Sequence, residues 1–134
     1  MSKINRAILI DDEKFDQMAY RRLMNGMPEI GEIVSFHYAD DALDHLKENT
    51  QTDGDVIFLD INMPRMNGFE FLEAANREFG EGFNASVIVM LTTSLNPSDV
   101  SRASEYGSVK AFINKPLTRT HIRDVCTMLD PRSV

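Results

Sequence analysis

The chain has 134 residues, a formal net charge of −7 and 43% hydrophobic residues, values that are typical of one globular domain. The acidic balance argues against a nucleic-acid surface, which needs a basic patch, and the single cysteine, Cys126, excludes an internal disulfide. The sequence has neither a signal-peptide pattern nor an apolar run of the ~20 residues that span a membrane, so we expect a soluble, cytoplasmic protein.

Five short runs rich in Val, Ile, Leu and Phe predict β-strands. In chain order they occupy residues 7–10, 33–38, 56–59, 87–91 and 111–113. The third and fourth runs are unbroken and apolar, as in strands that are buried on both faces of a sheet. The second run is partly polar, which is typical of an edge strand.

The segments between these runs predict helices. The first is amphipathic, and its predicted core-facing stripe consists of Phe15, Met18, Ala19, Arg22 and Leu23. The sequence Asn25-Gly26-Met27-Pro28 is expected to stop this helix. Asp40 or Asp41 is expected to cap the second helix. The core-facing residues of the second helix are predicted to be Ala42, Leu43 and Leu46.

Three more helices follow in the second half of the chain. The third is predicted from about Asn67 to Phe79, where Gly80-Glu81-Gly82 breaks it. The fourth is predicted to start at Asn96-Pro97, with proline in its first turn, and to end at Gly107. The fifth follows Leu117-Thr118, places Cys126 on its apolar face and is closed by Asp130-Pro131.

The alternation of five strands with five helices predicts a parallel sheet with right-handed crossovers and helices on both faces. Periodicity does not give the strand order. The order 2-1-3-4-5 belongs to flavodoxin-like doubly wound sheets, and we predict an α/β fold of this class. In that order the first and third strands are neighbours. Asp11, Asp12 and Asp60 would then converge at the carboxyl edge of the sheet.

Three carboxylates at one edge repel one another, and burial disfavours their charged forms. A cation offsets this repulsion, and oxygen ligands at a partly hydrated site suit Mg²⁺. Thr92 and Lys115 follow the fourth and fifth predicted strands. A hydroxyl and an ammonium group at that edge suit the oxygens of a phosphoryl group. The residues therefore predict a site at which an aspartate is phosphorylated.

In these residues the chain resembles the receiver domain of two-component response regulators. The resemblance rests on Asp11-Asp12, Asp60, Met63-Pro64 with Gly68, Thr92 and Lys115-Pro116. These parts occur in the family order at predicted strand ends and cover nearly the whole chain. The resemblance implies a single receiver domain over residues 1–134, of the stand-alone chemotaxis type and without an output domain.

The resemblance also implies how the acidic residues act. Asp60 is the phosphoacceptor, and it binds Mg²⁺ together with Asp12 and the backbone carbonyl of Asn62. Asp11 acts on the metal mainly through water. By the same resemblance, the side chains of Asn62 and Ser94 flank the water that later hydrolyses the acyl phosphate.

Three further residues complete the implied mechanism. Lys115 pairs with the phosphate, Thr92 donates its hydroxyl to it, and Phe112 occupies the position of the switch aromatic. The phosphoryl group comes from a phosphohistidine of a sensor histidine kinase or phosphotransfer protein. The chain catalyses only its own phosphorylation and dephosphorylation. It signals to an unknown protein target through the face of the fourth helix, fifth strand and fifth helix, as a monomer or a phosphorylation-dependent dimer.

Other functions use related residues. A phosphorelay intermediate or a phosphate sink would use the same site without a downstream target. An Mg²⁺-dependent aspartyl-phosphate hydrolase generally carries Asp-x-Asp after the first strand, whereas Asp11 and Asp12 are adjacent. A flavodoxin-like cofactor binder needs a phosphate loop rich in Ser, Thr and Gly there, and the acidic sequence Asp11-Asp12-Glu13 would repel a phosphate.

Overall fold

A computed structural model describes residues 3–49, 54–80, 83 and 86–129. Its strands are β1 (Ile4–Ile10), β2 (Ile30–Phe36), β3 (Asp55–Asp60), β4 (Val87–Thr92) and β5 (Val109–Asn114). Neighbouring strands pair in parallel, and the order across the sheet is β2-β1-β3-β4-β5. The predicted flavodoxin-like α/β fold and its strand order are therefore confirmed.

Five helices separate and follow the strands. They are α1 (Lys14–Asn25), α2 (Ala39–Glu48), α3 (Gly68–Phe79), α4 (Pro97–Ala103) and α5 (Arg119–Leu129). Gly26 and Gly80 directly follow α1 and α3, as predicted, whereas Glu81-Gly82 and Asp130-Pro131 lie outside the described residues. Within the described part of the chain, every helix is too short or too polar to cross a membrane.

Several element boundaries differ from the predictions. The strands β1, β2 and β5 start a few residues before the apolar runs that predicted them, because backbone pairing rather than side-chain polarity defines a strand. Helix α4 ends at Ala103 and not at Gly107. Beyond it the backbone forms tighter turns, in which Glu105 and Tyr106 each donate to the carbonyl three residues earlier.

The predicted capping of α2 by Asp40 or Asp41 is wrong. The N-cap position is held by Tyr38, and no side chain forms the cap hydrogen bond. Both aspartates lie in the first turn, where negative charge interacts favourably with the helix dipole. Asp40 also accepts a hydrogen bond from Arg65. The predicted core-facing residues of this helix are buried, and they are Ala42, Leu43 and Leu46.

The predicted buried stripe of α1 is wrong except at Leu23, which is partly buried and packs against the core. The members of that stripe that are exposed are Phe15, Met18, Ala19 and Arg22. The helix instead buries Gln17, Tyr20 and Met24. Gln17 is buried because its side-chain nitrogen donates to backbone carbonyls at the carboxyl ends of β1 and β2, at 3.0 Å each. Burial of this polar residue follows from its hydrogen bonds and not from hydrophobicity.

Apolar side chains form one cluster on each face of the sheet. The first lies under α2, α3 and α4 and takes Ile57 and Leu59 from β3. The second lies under α1 and α5, takes Val56 and Phe58 from β3, and includes Cys126. Because β3 is buried on both faces, a functional side chain can reach solvent only at an end of the strand, and Asp60 lies at its carboxyl end.

Candidate functional site

Three aspartates meet at the carboxyl edge of the sheet. Asp11 and Asp12 follow β1, and Asp60 is the last residue of the neighbouring strand β3. One carboxylate oxygen from each lies within 4.8 Å of the other two. Asp11 and Asp60 are buried, whereas Asp12 is partly exposed. Three oxygen donors with access to water on one side match the ligands that Mg²⁺ prefers, so these residues fit that ion.

Protein donors already hold both carboxylate oxygens of Asp11. The backbone N–H of Glu13 donates to Oδ1 at 2.9 Å. The hydroxyl of Tyr20 and the ammonium group of Lys115 both donate to Oδ2, at 3.0 Å each. This arrangement is compatible with a carboxylate that acts on a metal through water, because few of its lone pairs are left for a direct bond.

Lys115 follows β5 and links the aspartates electrostatically. Its ammonium nitrogen lies 2.7 Å from an oxygen of Asp16, 3.0 Å from Asp11 and 3.3 Å from Asp60. The side chain is only 11% exposed. Its backbone N–H donates to the carbonyl oxygen of Thr92 at 2.6 Å, which fixes the start of the loop after β5. An ammonium group in this position can stabilise the oxygens of a phosphoryl group.

Three pKa values at the site are raised, although burial acts in opposite directions on the acids and on the lysine. Burial, followed by the charge of Asp11, raises the pKa of Asp60 to about 6, although Lys115 counteracts this. Burial alone would lower the pKa of Lys115, but hydrogen bonds to Asp16 and Asp11 outweigh it and raise that pKa. Burial and the charge of Asp11 also raise the pKa of Tyr20. At neutral pH, Asp60 is therefore ionised at an energetic cost that a bound cation would reduce.

Thr92 ends β4, beside the strand that carries Asp60, and is 2% exposed. Its hydroxyl donates to the carbonyl oxygen of Ser94 at 3.0 Å and accepts the backbone N–H of the same residue at 3.1 Å. The hydroxyl thus lies at the strand end next to that of Asp60 and is engaged within its own loop. A contact with a group on Asp60 would require it to exchange these bonds.

The loop after β3 carries the predicted metal ligand Asn62, which is exposed. At the end of this loop, the backbone N–H of Gly68 donates to the carbonyl oxygen of Ile61 at 2.8 Å. A Cβ atom on Gly68 would lie 2.8 Å from the backbone oxygen of Asp60, which is too close for any real contact. Glycine is therefore required here so that α3 can start directly against the strand end that holds Asp60.

Arg65 connects the same loop to the start of α2. Its guanidinium group donates to Asp40 and lies 3.8 Å from a carboxylate oxygen of Asp41. Its Cζ atom also lies 4.2 Å from the centre of the Tyr38 ring, as in a cation–π contact. The φ angle of Arg65 is 69°, a region that costs a non-glycine residue about 1 to 2 kcal/mol. These contacts offset part of that strain.

Phe112, the predicted switch aromatic, lies in β5 beside Met90 of β4. It is partly exposed and packs against the cluster under α2, α3 and α4. The structure therefore brings Asp11, Asp12, Asp60 and Lys115 into one cluster and places Thr92 on the adjacent strand end. It leaves Phe112 within β5, separated from β3 by β4.

Two residues of α1 that contact this cluster were missed in the sequence. Asp16 binds Lys115, and the hydroxyl of Tyr20 binds Asp11. They are four positions apart and so share one face of the helix. One pattern in the sequence could have indicated them: an acid and a tyrosine four positions apart, shortly after Asp11-Asp12. They were overlooked because the predicted apolar stripe placed them on the solvent-facing side of the helix.

The family model for the response regulator receiver domain matches residues 7–127. This range contains every site residue described above. The chain therefore belongs to the response regulator receiver domain family. Receiver domains in general accept a phosphoryl group, bind Mg²⁺ in an acidic pocket and interact with histidine kinases or phosphotransfer proteins.

Solved structures and a curated relative agree with this assignment. A two-component response regulator from Cytophaga hutchinsonii is 27% identical, with a TM-score of 0.86 over 95% of this chain and 97% of its own. A response regulator receiver protein from Dyadobacter fermentans is 26% identical, with a TM-score of 0.79 over 92% of this chain and 96% of its own.

The curated relative is protein-glutamate methylesterase/protein-glutamine glutaminase 3 of Geobacter sulfurreducens, which is 29% identical over 116 residues. These residues make up 87% of this chain but 29% of that protein. The chain thus spans less than a third of that relative, and the similarity concerns one domain of it.

Proposed function

We propose that this chain accepts a phosphoryl group on Asp60 from a phosphohistidine of a sensor histidine kinase or phosphotransfer protein. The observation that carries the proposal is the set of groups around Asp60. Its carboxylate lies within 4.8 Å of oxygens of Asp11 and Asp12 and 3.3 Å from the ammonium nitrogen of Lys115. Carboxylates that can hold a divalent cation, together with a lysine, suit phosphoryl transfer to an aspartate.

In the proposed step, a carboxylate oxygen of Asp60 attacks phosphorus, so that a P–O bond forms and the P–N bond to the donor histidine breaks. The electron pair of that bond stays on the ring nitrogen, and the donor, protonated on its other nitrogen, leaves as neutral imidazole. Lys115 binds oxygens of the transferred group. Asp12, Asp60 and the carbonyl of Asn62 would hold Mg²⁺, with Asp11 acting through water, and the ion would supply positive charge against that group.

Phosphorylation replaces the single negative charge of the Asp60 carboxylate with a phosphoryl group that carries roughly 1.5 to 2 negative charges beside β4. In the proposed response, the hydroxyl of Thr92 exchanges its bonds with Ser94 for a phosphoryl oxygen and draws the loop before α4 towards the site. Phe112 then turns inward, and the face of α4, β5 and α5 changes. The exposure of Leu95 (50%) and Val100 (41%) supports protein contacts on this face.

The proposal includes a domain organisation and a mode of action. A single receiver domain over residues 1–134 acts through protein contacts in the cytoplasm, and it catalyses only its own phosphorylation and dephosphorylation. The match over 97% of the solved chain of the Cytophaga response regulator supports a receiver fold over this range. A partner that binds only the phosphorylated form would distinguish a regulator from a relay intermediate or a phosphate sink. The number of copies of this chain in the complex with that partner would distinguish a monomer from a phosphorylation-dependent dimer.

The proposal is tested by incubation with acetyl phosphate and Mg²⁺, followed by intact-mass analysis. We expect the mass to increase by one phosphoryl group, and we expect no increase in Asp60→Ala or with excess EDTA. Asp124→Ala, which removes an exposed aspartate of α5, is the matched control and should be phosphorylated like the wild type. Absence of phosphorylation in the wild type, or its persistence in Asp60→Ala, would reject the proposal.

A further inference from the structure

Asp16 holds the lysine that the proposed mechanism assigns to the phosphoryl group. Its carboxylate lies 2.7 Å from the ammonium nitrogen of Lys115, which is the shortest of the three ion-pair distances of this lysine. The corresponding distance to Asp60 is 3.3 Å. Asp16 lies in the first turn of α1, outside the three-aspartate cluster. Lys115 is thus bound most closely by a carboxylate that has no part in the transfer.

The ammonium group of Lys115 donates hydrogen bonds to Asp16 and Asp11 and forms a longer ion pair with Asp60. An ammonium group has three N–H donors, and three carboxylates lie within 3.3 Å of this one. A phosphoryl group on Asp60 brings further acceptors, so closer engagement of the ammonium group with it draws Lys115 away from Asp11 or Asp16. Asp11 is held in place by two other donors, whereas the side chain of Asp16 is 35% exposed and can exchange the ammonium group for water.

We infer that Asp16 is a positioning residue that holds the ammonium group of Lys115 away from Asp60 and thereby slows the phosphorylation of Asp60. This inference rests on the proposed function. Asp16 does not touch the transferred group and acts only through Lys115. The contact between Asp16 and Lys115 stabilises the unphosphorylated state and is lost when Lys115 binds the phosphoryl group, so it raises the barrier to transfer.

The surroundings of the pair allow this exchange. Asp16 and Lys115 both line an open groove of about 610 Å³ between α1 and the segment after β5. Water in this groove can therefore reach Asp16 and replace the ammonium group as its partner. Tyr20, one turn further along α1, also lines the groove and holds Asp11 through its hydroxyl. A change at Asp16 consequently leaves the anchor of Asp11 in place.

The test measures the rate of phosphorylation by acetyl phosphate with Mg²⁺ in Asp16→Asn, which keeps the shape of the side chain and removes its charge. We expect the apparent second-order rate constant to rise about fivefold, the factor that corresponds to about 1 kcal/mol in a rate. Asp16→Glu restores a carboxylate that can reach Lys115 and should return the rate to within about twofold of the wild type. A merely structural role of Asp16 would not produce an acceleration that a longer carboxylate reverses.

A matched control separates this effect from general repulsion of an anionic donor. Glu13→Gln removes one negative charge from an exposed position at the same end of α1. Among the described residues, Lys115 forms ion pairs with Asp11, Asp16 and Asp60 and not with Glu13. The inference predicts a larger acceleration in Asp16→Asn than in Glu13→Gln. Equal accelerations in the two variants would overturn it.

The outcomes also separate this inference from the proposed function. If the wild type is not phosphorylated, or if Asp60→Ala still is, then the proposed function fails and the inference fails with it. If the wild type is phosphorylated on Asp60 but Asp16→Asn reacts at the same rate or more slowly, only the inference fails.

Discussion

Two basic side chains at the carboxyl edge of the sheet each bind several aspartates, but their surroundings differ. The partly buried Lys115 contacts Asp11, Asp16 and Asp60. The exposed Arg65 contacts Asp40 and Asp41. Lys115 is 11% exposed and Arg65 is 50% exposed. At the exposed pair, the hydrogen bond from Arg65 lowers the pKa of Asp40. At the buried cluster, burial outweighs the lysine and raises the pKa of Asp60 to about 6.

Ion pairing alone therefore does not decide whether the pKa of a carboxylate is lowered or raised. Water screens the ion pairs of Arg65. They connect the loop after β3 to α2 but contribute little to the free energy of unfolding. The buried cluster holds more negative than positive charge in a less polar environment, so its members remain under electrostatic strain. A cation or a charged group that binds there can relieve or redistribute that strain. This difference in burial and net charge distinguishes the cluster around Lys115, where chemistry can take place, from the structural contacts of Arg65.

The largest expected effect is that of Lys115→Met on stability. The change leaves the aspartates of the buried cluster without their cation, so the free energy of unfolding should fall by about 3 to 5 kcal/mol at pH 7 without divalent metal. Urea denaturation at pH 7 and pH 5 measures this loss, which should be smaller at pH 5, where Asp60 is largely protonated. Lys47→Met removes a more exposed lysine and serves as the control. A loss similar to that of the control would contradict the comparison.

Asp60→Asn should increase the stability of the fold, whereas Lys115→Met should decrease it. The pKa of Asp60 is raised from 3.8 to about 6 on folding, so the native state binds its proton more tightly than the unfolded state. The ionised carboxylate therefore destabilises the fold increasingly as pH rises from about 4 to 6, and fully above that range. Asparagine removes this penalty and should raise the free energy of unfolding by about 2 to 3 kcal/mol at pH 7.

The pH dependence provides the internal control for Asp60→Asn. In EDTA, the difference between the variant and the wild type should disappear as pH falls below about 4, where the unfolded carboxyl is also protonated. A gain in stability that stays constant from pH 4 to pH 7 would show that ionisation is not its cause.

The smallest expected effect is that of Arg65→Gln. Because its ion pairs are exposed, their loss should lower the free energy of unfolding by less than about 1 kcal/mol, and added salt should reduce the difference further. Arg65→Gly loses the same contacts but accepts the φ angle of 69° without strain, so it should be the more stable of the two variants. Thermal unfolding at low and high salt measures both. A loss from Arg65→Gln as large as that from Lys115→Met would remove the distinction between the two clusters.

The fold and much of the site could be predicted from two features of the sequence, the apolar runs and their alternation with helical segments. Unbroken apolar runs mark strands that are buried on both faces, and alternation with helices makes those strands parallel. Parallel strands end at a common edge, so Asp60, Thr92 and Lys115 could be expected at the same side of the sheet. The position of Gly68 is explained only by the structure, in which its backbone packs against the carbonyl oxygen of Asp60.

The sequence-based predictions for α1 were wrong because hydrogen bonds of polar side chains determine how this helix packs. The sequence placed Phe15 and Met18 in the core, yet they are 78% and 57% exposed. Gln17 and Tyr20 are buried in their place because each donates to an acceptor at the end of β1. Hydrophobic spacing contains no information about such acceptors, which only the assembled sheet provides. The same limitation concealed Asp16, whose partner lies 99 positions away in the chain.

The hydrogen bond between Tyr20 and Asp11 gives the protein an intrinsic optical reporter. The chain contains no tryptophan, so its three tyrosines dominate its ultraviolet emission. Tyr38 lies under Arg65, and the hydroxyl of Tyr106 donates to Glu73. Within the described part of the chain, Tyr20 is the tyrosine whose phenol donates to a member of the aspartate cluster, and the emission of a phenol depends on the electron density of its acceptor. A cation that draws charge from Asp11 therefore changes the fluorescence of the unlabelled protein.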